Sequence, residues 1–305
     1  MGATLIALTG ATGFIGRGLL ASLRQSGYRV RVLLRRPVDA MPDTDSAVIG
    51  DLVRPMNLSR ALEDVDVVVH SAAIDPQMSG APHDDFRAFN TVATVSLAAA
   101  AKRAGAKRFI FLSSVRAQAG HASEVILSED LPPEPCDDYG RSKLAAEEGL
   151  ADVGLEWAAL RSALVYGPGV EGNMGALIKA ACSRRVLPLP IPSGRRSLLA
   201  LDNLSGAVCT LIETDQSLSR PFLVADDDPM TIAEIVATLR AGSGRSGVTV
   251  PVPSSAFRAC ASLFGLDRVA ERLSGDLIVD TSRLKGLGWQ PRVATREGLM
   301  KLGQA

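Results

Sequence analysis

Neither sign of charge is in surplus in this sequence: Lys and Arg together number 33, and Asp and Glu together number 33. That balance excludes a global field that would draw the chain to nucleic acid or to an anionic membrane, so small partners are expected. Cysteine is sparse, and Cys136, Cys182, Cys209 and Cys260 stand far apart. They make no metal-ligand or redox spacing, which leaves buried, reduced thiols and no metal as the expectation. Long apolar runs are missing too. The apolar start, Thr4 to Thr9, runs straight into a glycine turn and is too short for a signal peptide or a membrane span. A cytoplasmic location is expected. Internal repeats and low-complexity tracts are absent, although Arg240 to Gly247 reads as a mobile loop.

What remains is ample material for a core. A chain of 305 residues with 47% hydrophobic content suffices for one large α/β unit with an appended lobe. Short apolar runs alternate with helix-compatible stretches, the pattern of βαβ units feeding a parallel sheet. The predicted strands are Leu5 to Leu8, Arg29 to Leu34, Val65 to His70, Arg108 to Leu112, Trp157 to Leu160 and Pro221 to Ala225. The predicted crossover helices are Gly16 to Ser26, a stretch around Leu58 to Leu62, Asp84 to Ala104, and Tyr139 to Val153. From about Tyr166, Gly167, Pro168, Gly169, Pro188, Pro190 and Pro192 punctuate the chain, and alternation weakens until Ser197 to Leu201. The expected organisation is a dinucleotide-binding unit over 1–166, to which 197–226 returns, and a discontinuous C-terminal substrate lobe built from 167–196 and 227–305.

Residues 9 to 16 read ThrGlyAlaThrGlyPheIleGly between a predicted strand and a predicted helix. Gly10, Gly13 and Gly16 stand where a Rossmann-type, doubly wound sheet needs bare backbone, so that a pyrophosphate can approach the main chain and the helix N-terminus. Thr12, Phe14 and Ile15 complete that cradle. The spacing is GxxGxxG, and taken alone it also suits an ordinary turn and helix cap. A carboxylate normally ends the second strand of such folds and accepts the ribose hydroxyls. Here Arg35 and Arg36 stand there instead. Two guanidiniums favour a 2′-phosphate, hence NADP(H), with NAD(H) as the alternative and Arg17 as a possible assistant; two solvated surface charges are the other reading.

Tyr139 and Lys143 occur as TyrGlyArgSerLys, an i, i+4 pair that shares one helix face. A phenol with a pKa of about 10 is a poor acid or base near neutrality, and a neighbouring ammonium favours its ionised form. Lys143 could also hold the nicotinamide ribose. Ser113 and Ser114 close an apolar run, at the carboxyl end of a strand where open α/β sheets place ligand groups. A hydroxyl there can stabilise a developing alkoxide; the alternative is that both serines cap a turn.

Taken together these segments resemble the extended short-chain dehydrogenases/reductases, the NAD-dependent epimerase/dehydratase family, over essentially the whole length. The resemblance implies an adenine contact at Asp51 and Leu52, a cofactor-facing strand end at Ser71, Ala72 and Ala73 within HisSerAlaAla, and a supporting asparagine at Asn90. Ser114 stands 25 positions before Tyr139, as the family's catalytic serine or threonine does, so it is preferred over Ser113. ValTyrGlyProGly at 165–169 matches the next family signature, while Ser162 departs from the usual Arg-Pro start of that strand.

In the second lobe Arg195 and Arg196 precede SerLeuLeuAlaLeuAspAsn, similar to a family segment whose arginine clamps the UDP diphosphate. Spacing to Asp202 favours Arg196, and a fork of donors suits phosphate oxygens. Pro190, within ProLeuProIlePro, could form the edge on which a uracil packs, and Asn173 could face diphosphate or sugar. The tail at 280–291 resembles the family's closing element, with Arg283 replacing the commoner lysine. Within the family the combination is most similar to bacterial 4-ketoreductases that finish deoxyamino sugars for surface polysaccharide, implying a UDP-4-keto-6-deoxyhexosamine. The nearest rival is a UDP-glucose 4-epimerase with retained NAD; a remoter one is a non-catalytic dinucleotide-binding redox sensor. The resemblance also implies a homodimer through a four-helix bundle made by the helices at 84–104 and 139–153.

Overall fold

The computed structural model describes residues 3–38, 44–74, 83–183, 186–245, 247–263 and 274–304. In chain order the strands are β1 (Leu5–Thr9), β2 (Arg29–Leu34), β3 (Ser46–Val48), β4 (Val67–His70), β5 (Arg108–Ser114), β6 (Glu156–Ser162), β7 (Leu164–Tyr166), β8 (Leu187–Ile191), β9 (Arg195–Arg196), β10 (Leu198–Ala200), β11 (Arg220–Val224), β12 (Met230–Thr231) and β13 (Thr249–Pro253). The helices are α1 (Phe14–Gln25), α2 (Leu58–Ala61), α3 (His83–Phe86), α4 (Ala93–Arg103), α5 (Asp138–Val153), α6 (Gly172–Ala181), α7 (Leu201–Glu213), α8 (Ile232–Ser243), α9 (Ser254–Leu263), α10 (Ser282–Lys285) and α11 (Thr295–Gln304).

Seven of these strands form one sheet in the order β3-β2-β1-β4-β5-β6-β11, with every neighbouring pair parallel. All five residues of β1 are buried. Strands covered on both faces read as continuous apolar runs, and β1 and β5 are such runs. Alternate residues feed two cores. Leu5, Ala7, Phe109 and Phe111 face the side covered by α4 and α5, whereas Ile6, Leu8, Ile110 and Leu112 face the side covered by α1 and α7. The order of the strands reverses between β1 and β4, whose ends lie in register at Thr9 and His70. Ligands of such sheets bind beyond the strand ends at that switch point.

A third core gathers Met174, Leu189, Met230, Val236, Leu239 and Leu299 with Tyr166, Leu198 and Ala200. Asp226 stitches it to the sheet. Its carboxylate accepts from Tyr166 Oη at 2.9 Å, Asn203 Nδ2 at 2.7 Å and the Ala200 amide at 3.0 Å. Asn203 Oδ1 in turn accepts the amides of Arg292 and Val293. Burial raises the pKa of both Asp226 and Tyr166. Tyr166 of the ValTyrGlyProGly signature is therefore a structural tie to Asp226, while Asn203 anchors the segment at 292–293.

Three expectations need correction. Arg240 is the buried end of α8 rather than part of a mobile loop: its Nε donates to Ala181 O at 3.1 Å and its Nη1 to Gly247 O at 2.9 Å. The polar, small-residue composition hid a buried guanidinium fork. The helix expected over 84–104 is interrupted, because Arg87–Val92 between α3 and α4 is π-helical. Such widened turns are frequent at functional sites, and Asn90 lies in this one. Lastly, Cys136 and Cys260 are exposed, and Cys182 and Cys209 are half-buried.

Candidate active site

The glycine turn is shaped by two close approaches. Gly10 has φ +73°, and a Cβ there would lie 2.7 Å from the Ala72 amide nitrogen. A Cβ on Gly16 would lie 2.0 Å from Gly10 O. Any side chain at either position would push apart the helix start, the turn and the exit of β4. Gly13, by contrast, is exposed and forms the N-cap of α1 without a side-chain cap hydrogen bond. Thr12 is exposed and Phe14 and Ile15 half-buried, so the helix N-terminus, with its orphan amides, opens onto this edge of the sheet. Arg17 Nη1 donates to Thr12 O at 2.8 Å and braces the turn.

Around this edge the other predicted contacts fall as follows. Arg35 and Arg36 follow β2 and are both exposed. Asp51 is exposed, its carboxylate accepting the Val53 amide at 2.9 Å, and Leu52 is buried. Ser71 and Ala72 are half-buried at the exit of β4, and Ala73 is exposed. Thr9 Oγ1 accepts both the Ser71 and Ala72 amides at 3.2 Å. Asn90 is buried and clamps Ile74, its Oδ1 accepting the Ile74 amide and its Nδ2 donating to Ile74 O.

Tyr139 and Lys143 share one face of α5, with Lys143 Nζ 5.8 Å from the Tyr139 ring centroid. The ammonium is buried, 2% exposed, donates to Leu112 O at 2.8 Å and lies 4.5 Å over the Phe111 ring. Lys143 thereby bonds β5 at the residue directly before the two serines. The two serines differ because successive strand residues face opposite ways. Ser113 is buried and donates to Glu147 Oε1, so its hydroxyl is committed to the core. Ser114 is half-buried and caps the 3₁₀ turn Val115–Ala117, accepting the Arg116 amide at 3.2 Å. That bond uses a lone pair and leaves the hydroxyl proton for another acceptor.

The residues that place α5 belong to none of the motifs read from the sequence. Asp137 caps it, Oδ1 accepting the Gly140 amide at 2.8 Å, and receives Arg116 Nη2 on Oδ2 at 2.6 Å. Gly140 is required because a Cβ there would sit 2.2 Å from Arg116 O. The potential metal ligands His121, Cys136 and Asp137 converge within 4.8 Å of one another. Arg116 Nη2 lies 3.3 Å from His121 Nε2 and 3.3 Å from Cys136 Sγ as well, so a guanidinium already holds the point of convergence. Deeper on α5, Glu147 and Arg161 form an ion pair with side chains 3% and 5% exposed. Arg161 Nε and Nη2 both reach Glu147 Oε2, at 3.0 and 2.6 Å, and Arg161 Nη1 reaches Gln118. One signal was available: Glu147 continues the Tyr139, Lys143 series at i+4, and Arg161 is a charge inside an apolar strand.

The residues expected to hold substrate are more scattered. Asn173 is exposed in the first turn of α6. Pro190 is buried in β8, paired with Val252 of β13. Arg196 donates to His121 O at 2.9 Å and Gly275 O at 3.3 Å, bridging the segment after β5 to the one before Leu277. Arg195 turns away to Pro229 O.

A doubly wound sheet with a glycine turn at its switch point and a Tyr-x-x-x-Lys helix beside β5 defines an enzyme of the extended short-chain dehydrogenase/reductase class. The chain belongs to the NAD dependent epimerase/dehydratase family, whose model matches residues 6–225. It is 35% identical to a UDP-glucose 4-epimerase of Vibrio cholerae, across 98% of this chain and 94% of that protein. It is 32% identical to a ceramide reductase of Caulobacter vibrioides, across 69% of this chain and 61% of that one. Among solved structures, MoeE5 in complex with UDP-glucose and NAD superposes with a TM-score of 0.80 at 26% identity, covering 99% of this chain and 98% of that chain.

Proposed function

We propose that the protein exchanges hydride at C4 of a UDP-linked hexose, and that it works in the reductive direction on a UDP-4-keto-6-deoxyhexosamine for surface polysaccharide. The observation that carries this reading is the placement of Tyr139 and Lys143 on one face of α5, beside the carboxyl end of β5. The relatives named for UDP-glucose epimerisation and the UDP-glucose complex of MoeE5 support the substrate class.

The glycine turn fits a dinucleotide, since bare backbone is sterically required at Gly10 and Gly16 and the N-terminus of α1 is open at Gly13. Gly10, Thr12, Gly13, Phe14 and Ile15 would hold its pyrophosphate, Asp51 and Leu52 its adenine end, and Ser71, Ala72, Ala73 and Asn90 the wall toward the nicotinamide. When bound, the cofactor supplies the hydride exchange. Tyr139 donates the proton to the C4 oxygen, Ser114 holds that oxygen with its hydroxyl proton, and the Lys143 ammonium stabilises the phenolate left behind while binding the nicotinamide ribose. Arg196 would clamp the diphosphate at the mouth of the site, with Asn173 and Pro190 on the nucleoside and sugar side. The dinucleotide unit would comprise 1–166 with 197–226, and the substrate lobe 167–196 with 227–305. Two copies would pair through α4 and α5. No described helix is long and apolar enough to cross a membrane, and cytoplasmic action fits a soluble nucleotide sugar.

Arg35 and Arg36 favour NADPH, and with it a reductant that exchanges freely, because no carboxylate ends β2. A second reading, epimerisation on retained NAD, is favoured by the Vibrio cholerae relative. Native mass spectrometry of the purified protein, followed by turnover assays, separates them. Stoichiometric NADPH consumption with a UDP-4-keto sugar supports reduction. Retained NAD with interconversion of UDP-glucose and UDP-galactose overturns reduction in favour of epimerisation. Replacing both Arg35 and Arg36 by Ala should weaken NADPH binding about tenfold and leave NAD unchanged.

A further inference from the structure

His70 is fully buried at the end of β4, stacked on Phe111 with ring centroids 5.8 Å apart. Its Nδ1 lies 2.7 Å from Thr9 Oγ1 and its Nε2 lies 3.0 Å from Thr94 Oγ1. Each hydroxyl has one proton, and the neighbours decide where each goes. Thr94 Oγ1 donates to Asn90 O at 2.8 Å, the carbonyl four residues earlier. Having spent its proton there, Thr94 can meet His70 only as an acceptor, so Nε2 must carry a hydrogen. At the other end Thr9 Oγ1 already accepts the Ser71 and Ala72 amides. Its own proton needs an acceptor, which Nδ1 supplies when that nitrogen is bare. The opposite tautomer would crowd three donors onto Thr9, strand its proton, and ask one Thr94 proton to serve two acceptors. Buried groups left unpaired in that way are costly.

The chain does not stop at Asn90. Its side chain is oriented independently by Ile74, whose amide needs Oδ1 and whose carbonyl needs Nδ2. The second Nδ2 proton goes to Ser142 Oγ at 3.1 Å, and Ser142 Oγ donates to Tyr139 O at 2.8 Å. Thr91 Oγ1 adds a bond to Ser142 O at 2.8 Å. A directional series of hydrogen bonds thus runs from the exit of β4, beside the glycine turn, to the first turn of α5.

We infer that His70 is a positioning residue: a neutral imidazole, protonated on Nε2, that locks the cofactor-side walls at Thr9 and Ser71–Ala72 to the Asn90 turn and so to the helix that presents Tyr139. Charge supports the geometry, since burial, and then the nearby Lys143, push the pKa of His70 down to about 3. The ring is the joint because it alone of the series reaches hydroxyls on two different elements, β1 and α4, from a third. This inference rests on the dinucleotide-binding reading for its functional consequence, but not for the tautomer.

The test has two arms. Long-range proton–nitrogen NMR on protein labelled at its three histidines reports the tautomer in the unaltered chain, with His70 assigned by its disappearance in His70→Gln. A protonated Nε2 with a bare Nδ1 is expected; a protonated Nδ1, or a doubly protonated ring near neutral pH, overturns the inference. In the second arm, NADPH and NAD dissociation constants are measured for the parent, His70→Phe and His70→Gln. His70→Phe, which fills the space but ends the series, should bind dinucleotide about tenfold more weakly, and His70→Gln, with a donor and an acceptor, should recover most of that loss. A lower melting temperature with affinity within about twofold of the parent would make the residue a stabiliser alone and overturn the positioning role. Should His70→Phe not fold, the tautomer and the His70→Gln affinity decide. Should no dinucleotide bind even the parent, the functional reading and the positioning role fall together while the tautomer still stands or falls on the NMR.

Discussion

Helix α5 is held by two buried polar networks of opposite character, and the contrast shows what each kind of bond is good for. Toward its start, Ser142 and Thr91 tie it to Asn90, Thr94 and His70 with neutral groups only. One turn beyond Lys143, Glu147 accepts from Ser113 and forms a desolvated ion pair with Arg161, which in turn donates to Gln118. In the neutral network every proton has one destination, so it transmits orientation and resists being re-drawn. The ionic network is tolerant of direction but intolerant of vacancy. Taking two ions out of water costs several kcal/mol each, and a fork of donors on a carboxylate offsets this only while both partners remain. The neutral set therefore aims the tyrosine, and the ionic set fixes how α5 sits on β5 and β6.

Substitutions can test that contrast, and the strongest response should come from the chemistry both networks serve. Tyr139→Phe removes the phenol but not the backbone carbonyl that Ser142 uses. Turnover should fall by about a hundredfold to ten-thousandfold, with melting temperature and dinucleotide affinity nearly unchanged; retained activity would remove Tyr139 from the mechanism. Next comes Glu147→Ala, which strands a buried guanidinium. A loss of about 3–5 kcal/mol in chemical denaturation is expected, and a loss below about 1 kcal/mol would mean that Arg161 finds water. Thr94→Val cuts the neutral series at one joint and should cost about 1–3 kcal/mol. The smallest change should be the paired substitution Glu147→Leu with Arg161→Met. Removing both charges together should leave stability within about 1 kcal/mol of the parent, because no longer desolvating two ions offsets the partners lost by the Ser113 hydroxyl and the Gln118 carbonyl. If the pair instead destabilises as much as Glu147→Ala alone, the ionic network is an energetic support and not a device of registration.

The glycine turn, the strand–helix alternation and the Tyr139, Lys143 pair were legible from spacing, because backbone freedom and i, i+4 geometry are local properties. The preference for Ser114 over Ser113 rests on its spacing to Tyr139, and alternation along β5 sends the two hydroxyls opposite ways, one to Glu147 and the other to cap the 3₁₀ turn. Other features were not legible. The stretch from Arg240 reads as a loop because one of the acceptors that hold its guanidinium, Ala181 O, belongs to a helix far off in sequence. The π-helical turn at Asn90 leaves no mark in periodicity over six residues.

Patterns within short stretches are enough to specify the parallel sheet, the bare cradle at its switch point and the family to which the chain belongs. The tertiary structure alone decided that His70 stands between two hydroxyls, that Arg116 fills the space shared by His121, Cys136 and Asp137, and that Glu147 lies on Arg161. A side chain's partner across strands is set by register and packing, and a lone His, Arg or Glu in sequence carries no record of which polar atom the fold will bring to it.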